Sequence, residues 1–216
     1  MSNSKIYLKK GRESSLERFH PWVFSGAIAK IDGSPSEGDV VDVYSYNSTF
    51  LGRGHYQIGS ITVRVLTFEN ESIDLSFWKK RIQSALDLRV SYIGLNSNTN
   101  CYRLVHGEGD NLAGLIIDYY NGVAVIQAHS AGMFNGRLEI CQALRDVYKE
   151  SLMAVYDKSS STAPFKAGLD LKEGYLYRNP DFNDKIEVSE NGVLFKIDFI
   201  GGQKTGFFLD QRDNRD

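Results

Sequence analysis

The chain has 216 residues, of which 42% are hydrophobic and 24% are charged, a balance typical of globular proteins rather than disordered or fibrous ones. Its net charge of −2 argues against nucleic-acid binding over the whole surface, although residues 1–68 carry eight Lys and Arg against six Asp and Glu. No apolar run approaches the ~20 residues that cross a bilayer, and the first residues lack the apolar segment of a secretory signal. The two cysteines form no CxxC motif, so we expect reduced thiols in a cytoplasmic protein that does not contact a membrane.

Short alternating segments separated by glycines dominate the first 70 residues. The segments EGDVVDVYS, FLGRGHYQ and SITVRVLTF alternate apolar and polar residues, which predicts strands. Only residues 15–20 have helical spacing in this part of the chain. The pattern predicts a small, mostly β barrel or sandwich over residues 1–70, with a boundary near residues 69–74.

Helical spacing begins after residue 71, where SIDLSFWKKRIQSALDLRVSYIG places its apolar residues on one stripe. A second amphipathic helix is predicted between residues 134 and 148. The two stripes consist of Trp78, Ile82, Ala85, Leu86 and Ile93 in the first helix, and of Phe134, Leu138, Cys141, Leu144 and Tyr148 in the second.

Four strands and two hairpins are predicted around these helices. CYRLVH, LAGLIIDYY, VAVIQAH and SLMAVY are apolar enough for buried strands, and Asn-Gly pairs at 121–122 and 191–192 favour tight hairpin turns because both residue types tolerate positive φ. DKSSSTAPFKAGLDLKEG has little periodicity and predicts a mobile loop. The sequence therefore predicts an α+β fold: the small β domain, a central α/β domain over 74–198, and a separate segment over 199–216 that begins near 196–202.

The segment KKGRESSLERFHPWVFSGAI mixes basic and aromatic residues. Such a mixture can contact phosphates and stack on bases. It could equally be a solvated cationic edge over a core anchored by Trp22 and Phe24, and the sequence leaves both interpretations open. The basic members are Lys9, Lys10, Arg12, Arg18 and His20.

Three carboxylates, Glu108, Asp110 and Asp118, lie in or near the turn HGEGDNLAG. They could bind a hard cation, but Asp110 could instead order the turn by bonding its own backbone, which we favour. The turn could also face a substrate. Its glycines do not have the spacing of a dinucleotide-binding fingerprint.

Two other chemistries are disfavoured by spacing. Gly201-Gly202-Gln203-Lys204-Thr205 lacks the glycine that precedes the lysine of a phosphate-binding loop. The histidines are not paired with His or Cys at metal-ligand spacing, so no metal site is predicted. Cys101 opens a strand and Cys141 lies on a helical stripe, which favours packing roles over nucleophilic ones.

Several motifs together resemble one protein family. RFHPWVFSGAI, EGDVVDVYS and FLGRGHY resemble the N-terminal PUA domain of S-adenosylmethionine-dependent large-subunit rRNA cytosine-C5 methyltransferases. YRLVHGEGDNLAGLIIDYY resembles their central α/β domain. GGQKTGFFLDQRDNR is similar to the stretch that leads into their Rossmann-like methyltransferase domain. The resemblance runs in order over nearly the whole chain and implies the N-terminal part of such an enzyme, with 199–216 as the start of an absent domain.

The resemblance implies a role for each predicted site. The basic segment would bind RNA, the expected partner being large-subunit rRNA, and the three carboxylates would wall a substrate cleft. No catalytic residue is expected in this chain, because the family's nucleophilic cysteine would lie beyond Asp216, and the chain alone is expected to be inactive. The residues expected to face S-adenosylmethionine or the cleft are Lys204, Thr205, Phe208, Asp210 and Arg212.

Two further expectations concern assembly. Without the missing domain, residues 203–216 are expected to be poorly ordered or recruited by another chain, and a homodimer is one possibility. The rival functions are a non-catalytic RNA-binding or ribosome-assembly module, and an interaction protein that uses the small β domain for protein contacts.

Overall fold

The structure is a computed structural model that describes residues 3–92, 95, 98–164 and 168–215. Its strands form three sheets of six, five and two strands. No helix within the described ranges is long and apolar enough to span a membrane. The mixed α/β architecture agrees with the predicted fold class.

The first sheet has the strand order β2-β6-β5-β4-β1-β3, with β1 and β4 parallel and the other pairs antiparallel. The three strands predicted from alternation are β4, β5 and β6, which confirms those predictions. Their alternate apolar residues, such as Val41, Val43 and Val63, form one core with Ile6 and Leu8. The elements are β1 (Ser4–Leu8), α1 (Ser14–Glu17), β2 (Trp22–Phe24), β3 (Ile28–Asp32), β4 (Val40–Tyr44), β5 (Phe50–Tyr56) and β6 (Ile61–Thr67).

The second sheet has the strand order β11-β10-β9-β8-β7, and the helices α2, α3 and α4 cover one of its faces. Asp74 caps α2 by accepting hydrogen bonds from the backbone amides of Ser76 and Phe77. The elements are α2 (Leu75–Asp87), a π-helical turn (Leu88–Tyr92), β7 (Cys101–His106), β8 (Leu115–Tyr120), β9 (Val123–Ala128), α3 (Ala131–Asn135), α4 (Arg137–Tyr148), β10 (Ala154–Asp157) and β11 (Gly174–Arg178).

A two-stranded hairpin, β12 (Ile186–Glu190) and β13 (Val193–Ile197), covers the other face of the second sheet together with the residues that follow it. All six residues of β9 are buried because this strand is covered on both faces. Both Asn-Gly turns form as predicted: Asn121 and Asn191 have φ values of 41° and 51°. The last helix, α5 (Arg212–Arg215), lies at the end of the described chain.

One prediction made from periodicity is wrong, and one strand was not predicted. Leu138 is exposed rather than part of the buried stripe of α4. The strand β11 has no alternating pattern that would have revealed it, and three of its five residues are half-buried aromatic or aliphatic side chains. Ile93 and residues 165–167 of the predicted mobile loop lie outside the described residues.

The expectation for residues 203–216 is also wrong over the described part of that segment. Thr205 is completely buried, and the ring of Phe207 lies 5.1 Å from that of Phe195. Arg215 donates two hydrogen bonds to the Glu190 carboxylate, at 2.6 and 2.8 Å. The described part of the segment therefore packs against its own chain.

Candidate functional site

An open cleft of about 470 Å³ lies between β7 and the C-terminal segment. Its size is within the range of small-molecule sites, and it is rich in cationic side chains. Two residues predicted to face a cofactor, Asp210 and Arg212, line it. The full lining is Arg89, Leu95, Tyr102, Arg103, His106, Leu209, Asp210, Arg212 and Asp213.

A buried polar chain supports the floor of this cleft. Asp118 on β8 is completely buried and pairs with Arg103, whose Nε and Nη2 donate to its two oxygens at 2.8 and 3.1 Å. The Thr205 hydroxyl donates to the same carboxylate at 2.5 Å and lies 2.8 Å from the Tyr120 hydroxyl. Hydrogen bonding to Asp118 raises the pKa of Arg103, and burial raises the pKa of Tyr120.

These hydrogen bonds contradict two of the expected roles. Asp118 does not wall the cleft, and Thr205 does not face it, because both side chains are fully buried. Their contacts instead fix Arg103 and tie the C-terminal segment to the second sheet. A buried carboxylate tolerates this position only because its lone pairs are occupied by a cation and a hydroxyl.

Asp110 holds a second arginine of the cleft. Arg89, in the π-helical turn after α2, contacts Asp110 through both terminal nitrogens, with Nη2 at 2.7 Å from Oδ2. Asp110 Oδ2 also accepts from the backbone amide of His106 at 2.6 Å. Asp110 therefore orders its own turn, which was the favoured interpretation, and at the same time positions Arg89.

Glu190 on β12 holds the remaining arginine. Its buried carboxylate lies 3.6 Å from Arg212 Nε and accepts two hydrogen bonds from Arg215, at 2.6 and 2.8 Å. Arg212 Nη2 also donates to the carbonyl oxygen of Cys101 at 3.3 Å. Three arginines of the cleft are thus each held by a different carboxylate.

Lys204 and Phe208 form an exposed group with Asp210, which lines the cleft. The Lys204 ammonium lies 3.8 Å from Asp210 and 4.6 Å from the centre of the Phe208 ring. Hydrogen bonds, first that from Gln211, lower the pKa of Asp210, so this carboxyl is ionised at neutral pH. Of the five residues expected to face the cofactor, four are accessible and Thr205 is not.

Glu108 lies in the same turn as Asp110, but its side chain binds a residue of the first sheet rather than an arginine of the cleft. Its Oε1 accepts from the Trp22 indole at 2.9 Å. It also borders a smaller cavity of about 230 Å³ together with Arg64 and His129. Burial lowers the pKa of both Arg64 and His129. The three predicted carboxylates therefore do not form one cluster, and no group of three potential metal ligands occurs among the described residues.

The five basic residues of the N-terminal segment are all exposed. Phe24 is exposed too, which contradicts the interpretation that Trp22 and Phe24 anchor a core, although Trp22 is half-buried. Two of the five donate hydrogen bonds to backbone carbonyl oxygens: Lys9 Nζ to Gly26 O at 2.9 Å, and Arg18 Nε to Ser14 O at 3.1 Å.

Both cysteines are buried, as the packing interpretation expected. Burial raises the pKa of the Cys101 and Cys141 thiols to about 11. Both thiols are therefore protonated at neutral pH and poorly suited to nucleophilic attack.

Sequence reasoning missed Arg89, Arg103 and Glu190. Arg89 follows Ala85 by four residues and so continues the apolar stripe of α2, which is an unusual place for an unpartnered cation. That signal could have identified it. Arg103 and Glu190 gave no local signal, because their partners are 15 and 22 or more residues away and are reached only through sheet pairing and packing.

Comparison with known proteins extends these observations. Residues 6–68 match a family model described as a PUA-like domain. The chain is 42% identical to the ribosomal RNA large subunit methyltransferase I of Vibrio cholerae over 97% of its own length and 52% of that protein. The corresponding Escherichia coli protein is 38% identical, with 98% and 53% covered. The chain therefore spans about half the length of the curated relatives it matches.

Solved structures show the same partial coverage. A candidate SAM-dependent methyltransferase from Streptococcus mutans superposes with a TM-score of 0.76 at 25% identity, over 98% of this chain and 52% of that one. A second methyltransferase candidate, solved in complex with SAH, shares the fold with a TM-score of 0.77 at 24% identity. Residues 6–68 thus form a PUA-like domain, and nearly the whole chain is homologous to about half of the large-subunit ribosomal RNA methyltransferase I proteins.

Proposed function

We propose that this chain is the N-terminal part of an S-adenosylmethionine-dependent methyltransferase of large-subunit ribosomal RNA. The observation that carries the proposal is the 42% identity to such a protein across 97% of the chain, which includes the cleft as well as the PUA-like domain. In this proposal the chain contributes RNA binding and one side of the cleft. The other half of the relatives' length would supply the Rossmann-like domain, and this chain alone would be inactive.

The accessible cleft residues have the chemistry to hold S-adenosylmethionine, which supplies the methyl group when bound. The Arg212 guanidinium suits a carboxylate, and the Asp210 carboxylate suits hydroxyl or amine donors. Lys204 and Phe208 would complete this surface. Thr205 would act from beneath, as a positioning residue that holds the segment to Asp118.

We further propose cytosine C5 as the target atom. Methylation at this poorly nucleophilic carbon requires a thiolate that first adds to the neighbouring ring carbon. Cys101 and Cys141 are protonated and buried, so the thiolate would come from outside this chain. Arg89, Arg103 and His106 would bind the RNA backbone at the cleft, because guanidinium groups match phosphate geometry.

The exposed basic segment of the PUA-like domain would bind RNA outside the cleft. Its members Lys9, Lys10, Arg12, Arg18 and His20 are all exposed. Binding through such residues releases counterions and weakens steeply with added salt. With large-subunit rRNA as partner, the protein would work in the cytoplasm.

Deletion of the gene in its source organism tests the proposal. We expect one methylated cytidine to disappear from large-subunit rRNA, as measured by mass spectrometry of nuclease digests, and to return when a plasmid copy is supplied. If every methylated nucleotide remains, the methyltransferase assignment is wrong.

The same experiment tests the alternative, a non-catalytic RNA-binding or ribosome-assembly module. This alternative is favoured by one observation: the C-terminal segment is satisfied by its own chain through Glu190, Asp118 and Lys158. Unchanged methylation combined with altered sedimentation of ribosomal subunits would identify the protein as an assembly factor.

A further inference from the structure

A row of aromatic side chains crosses the outer face of the first sheet. Tyr7 on β1 lies beside Tyr44 on β4, and Tyr44 lies opposite Phe50 on β5. Alternate residues of the same strands, such as Ile6 and Val43, are buried in the core on the inner face. Since successive side chains of a strand point to opposite faces, the aromatic row points away from the core.

The rings of this row contact one another but leave surface open. Tyr7 and Tyr44 are stacked with centroids 5.4 Å apart, and Tyr44 meets Phe50 edge-on at 5.8 Å. All three are only half-buried. Such rings normally complete a core in a folded domain, so a partly exposed row on a sheet is a surface with unused stacking capacity.

Two lysines lie close to the rings of this row. Lys30 on β3 pairs in register with Tyr7 and lies 5.7 Å from its ring centre, and Lys5 lies at the same distance from Tyr44. At one end, a cavity of about 430 Å³ is lined by Tyr7, Lys9, Lys10, Lys30, Tyr46 and Ser48. The carboxylates nearby are engaged: Asp32 pairs with Lys30 at 3.6 Å, and Asp42 pairs with Arg53 at 2.6 Å.

Tyr46 projects from a fixed turn at the mouth of this cavity. The backbone amide of Ser45 donates to Thr49 O at 2.8 Å, and the amide of Thr49 donates to Ser45 Oγ at 3.0 Å. Tyr46 is 56% exposed, and the Lys10 ammonium lies 5.5 Å from the centre of its ring. A rigid turn presents the ring with little ordering cost when a ligand binds.

We propose that this tyrosine–lysine face, formed by Lys5, Tyr7, Lys10, Lys30, Tyr44 and Tyr46, is a binding site for unpaired RNA. A base stacks on the open ring of Tyr46, and the lysines around the cavity contact the flanking phosphates. Exposed aromatic rings on a sheet can stack on the bases of a single strand, and the cations that border the rings can contact its phosphates. Paired bases are inaccessible to such stacking. The inference rests on the proposed RNA-binding function. The face shares Lys10 with the basic N-terminal segment and adds to it the aromatic rings with Lys5 and Lys30.

Binding of a fluorescently labelled ten-nucleotide oligouridine to the 216-residue chain, measured by anisotropy over a range of salt concentrations, tests the inference. We expect Tyr46→Ala to weaken binding about tenfold without changing the slope of log affinity against log salt, because it removes one stacking contact and no charge. Tyr46→Phe keeps the ring and should bind within about twofold of the wild type. Tyr92→Ala, at a more exposed tyrosine of the second domain, should have no effect.

The lysines give a separate readout. Lys10→Ala and Lys30→Ala should each reduce the salt slope by about 0.7, the value for one phosphate contact on a single strand. Lys172→Ala, at an exposed lysine outside the face, is the matched control. Unfolding midpoints of all variants would show that the fold is retained.

Three results would overturn the inference: equal binding by Tyr46→Ala and Tyr92→Ala, equal losses for Tyr46→Phe and Tyr46→Ala, or wild-type binding to a ten-base-pair RNA duplex as tight as to oligouridine. Equal losses for Tyr46→Phe and Tyr46→Ala would indicate that the hydroxyl, and not the ring, makes the contact. Equally tight duplex binding would indicate a surface that recognises RNA shape. If the wild type binds neither RNA at low salt, the RNA-binding part of the proposed function fails as well. If the wild type binds oligouridine and the Tyr46 variants bind it with the same affinity, the proposed RNA-binding function stands, but RNA does not bind at this face.

Discussion

Tyr7 and Tyr44 lie on an open face of the first sheet, whereas Tyr119 and Tyr120 of the second sheet are covered on both sides. Tyr119 stacks on Tyr148 at 4.6 Å, and the hydroxyl of Tyr120 is bound to Thr205. The two regions thus use the same side chain in different ways. In the second sheet the tyrosines complete a core, while in the first sheet they remain available to a ligand.

The charged residues differ in the same way. The second domain contains Asp118 and Glu190, which are buried and held by arginines that line the cleft. The first sheet also has one largely buried pair, Asp42 with Arg53, but on its outer face Lys30 and Asp32 form an exposed pair. Buried charges must be partnered and therefore fix geometry, whereas exposed charges remain free to exchange partners.

The largest expected effect is at Asp118. We expect Asp118→Ala to lower the free energy of unfolding by about 3–5 kcal/mol, because it leaves Arg103 and Thr205 without their shared partner in a buried site. Urea unfolding measures this. The control Asp32→Ala, in an exposed pair, should cost under about 1 kcal/mol. Similar losses of unfolding free energy in the two variants would show that the buried pair of the second sheet stabilises the protein no more than the exposed pair of the first.

A smaller effect on the free energy of unfolding is expected from the protonation of His55. This residue lies on β5 and faces the second domain. Burial, reinforced by Arg64, lowers the pKa of His55 from 6.5 to about 4. As pH falls below 6.5 the unfolded chain gains a proton that the folded protein excludes until about pH 4. Stability is therefore retained above 6.5 and lost on acidification, by about 2–3 kcal/mol between pH 7 and 4.5.

Comparison with a variant that cannot titrate isolates this contribution. The difference in unfolding free energy between the wild type and His55→Gln should shrink by that amount between pH 7 and 4.5, since other groups contribute equally to both proteins. A difference that stays constant with pH would show that His55 is not protected from protons at this interface.

The next effect concerns the C-terminal segment. Glu190→Ala should cost about 2 kcal/mol, less than Asp118→Ala because the released Arg212 and Arg215 are near solvent. Hydrogen exchange of residues 205–215 should accelerate in this variant. Glu187→Ala, on the exposed side of the same strand, should leave exchange unchanged. Slow exchange in Glu190→Ala would mean that packing of Phe207, rather than the ion pairs, holds the segment.

The smallest effect is expected on the open face. Lys30→Ala should change the free energy of unfolding by no more than about 0.5 kcal/mol, because its pair with Asp32 is solvent-exposed. Thermal unfolding with the wild type as reference measures this. A loss above about 2 kcal/mol would mean that the face is part of the stabilising core and not a free binding surface.

Local patterns predicted most of the fold. Alternation identified β4, β5 and β6, helical spacing identified α2, and the Asn-Gly pairs identified both hairpins, because each depends on neighbouring residues only. The strand β11 was missed because its register comes from pairing with β10 rather than from its own pattern. Leu138 was misplaced because α4 starts after a break at Gly136, which rotates the buried stripe.

The sequence by itself determined the element types, the accessibility of the basic N-terminal segment and the packing roles of both cysteines, since residue chemistry and short-range periodicity decide these. Only the tertiary structure decided that Glu108, Asp110 and Asp118 each bind a different partner, and that Thr205 is buried. It also decided that Arg89, Arg103 and Arg212 converge on one cleft. The physical reason is that a buried charge takes its partner from whichever strand lies next to it in space. For Asp118 that partner is fixed by the pairing of β7 with β8, and for Glu190 by packing of the C-terminal segment against the second sheet, and neither is encoded in local sequence.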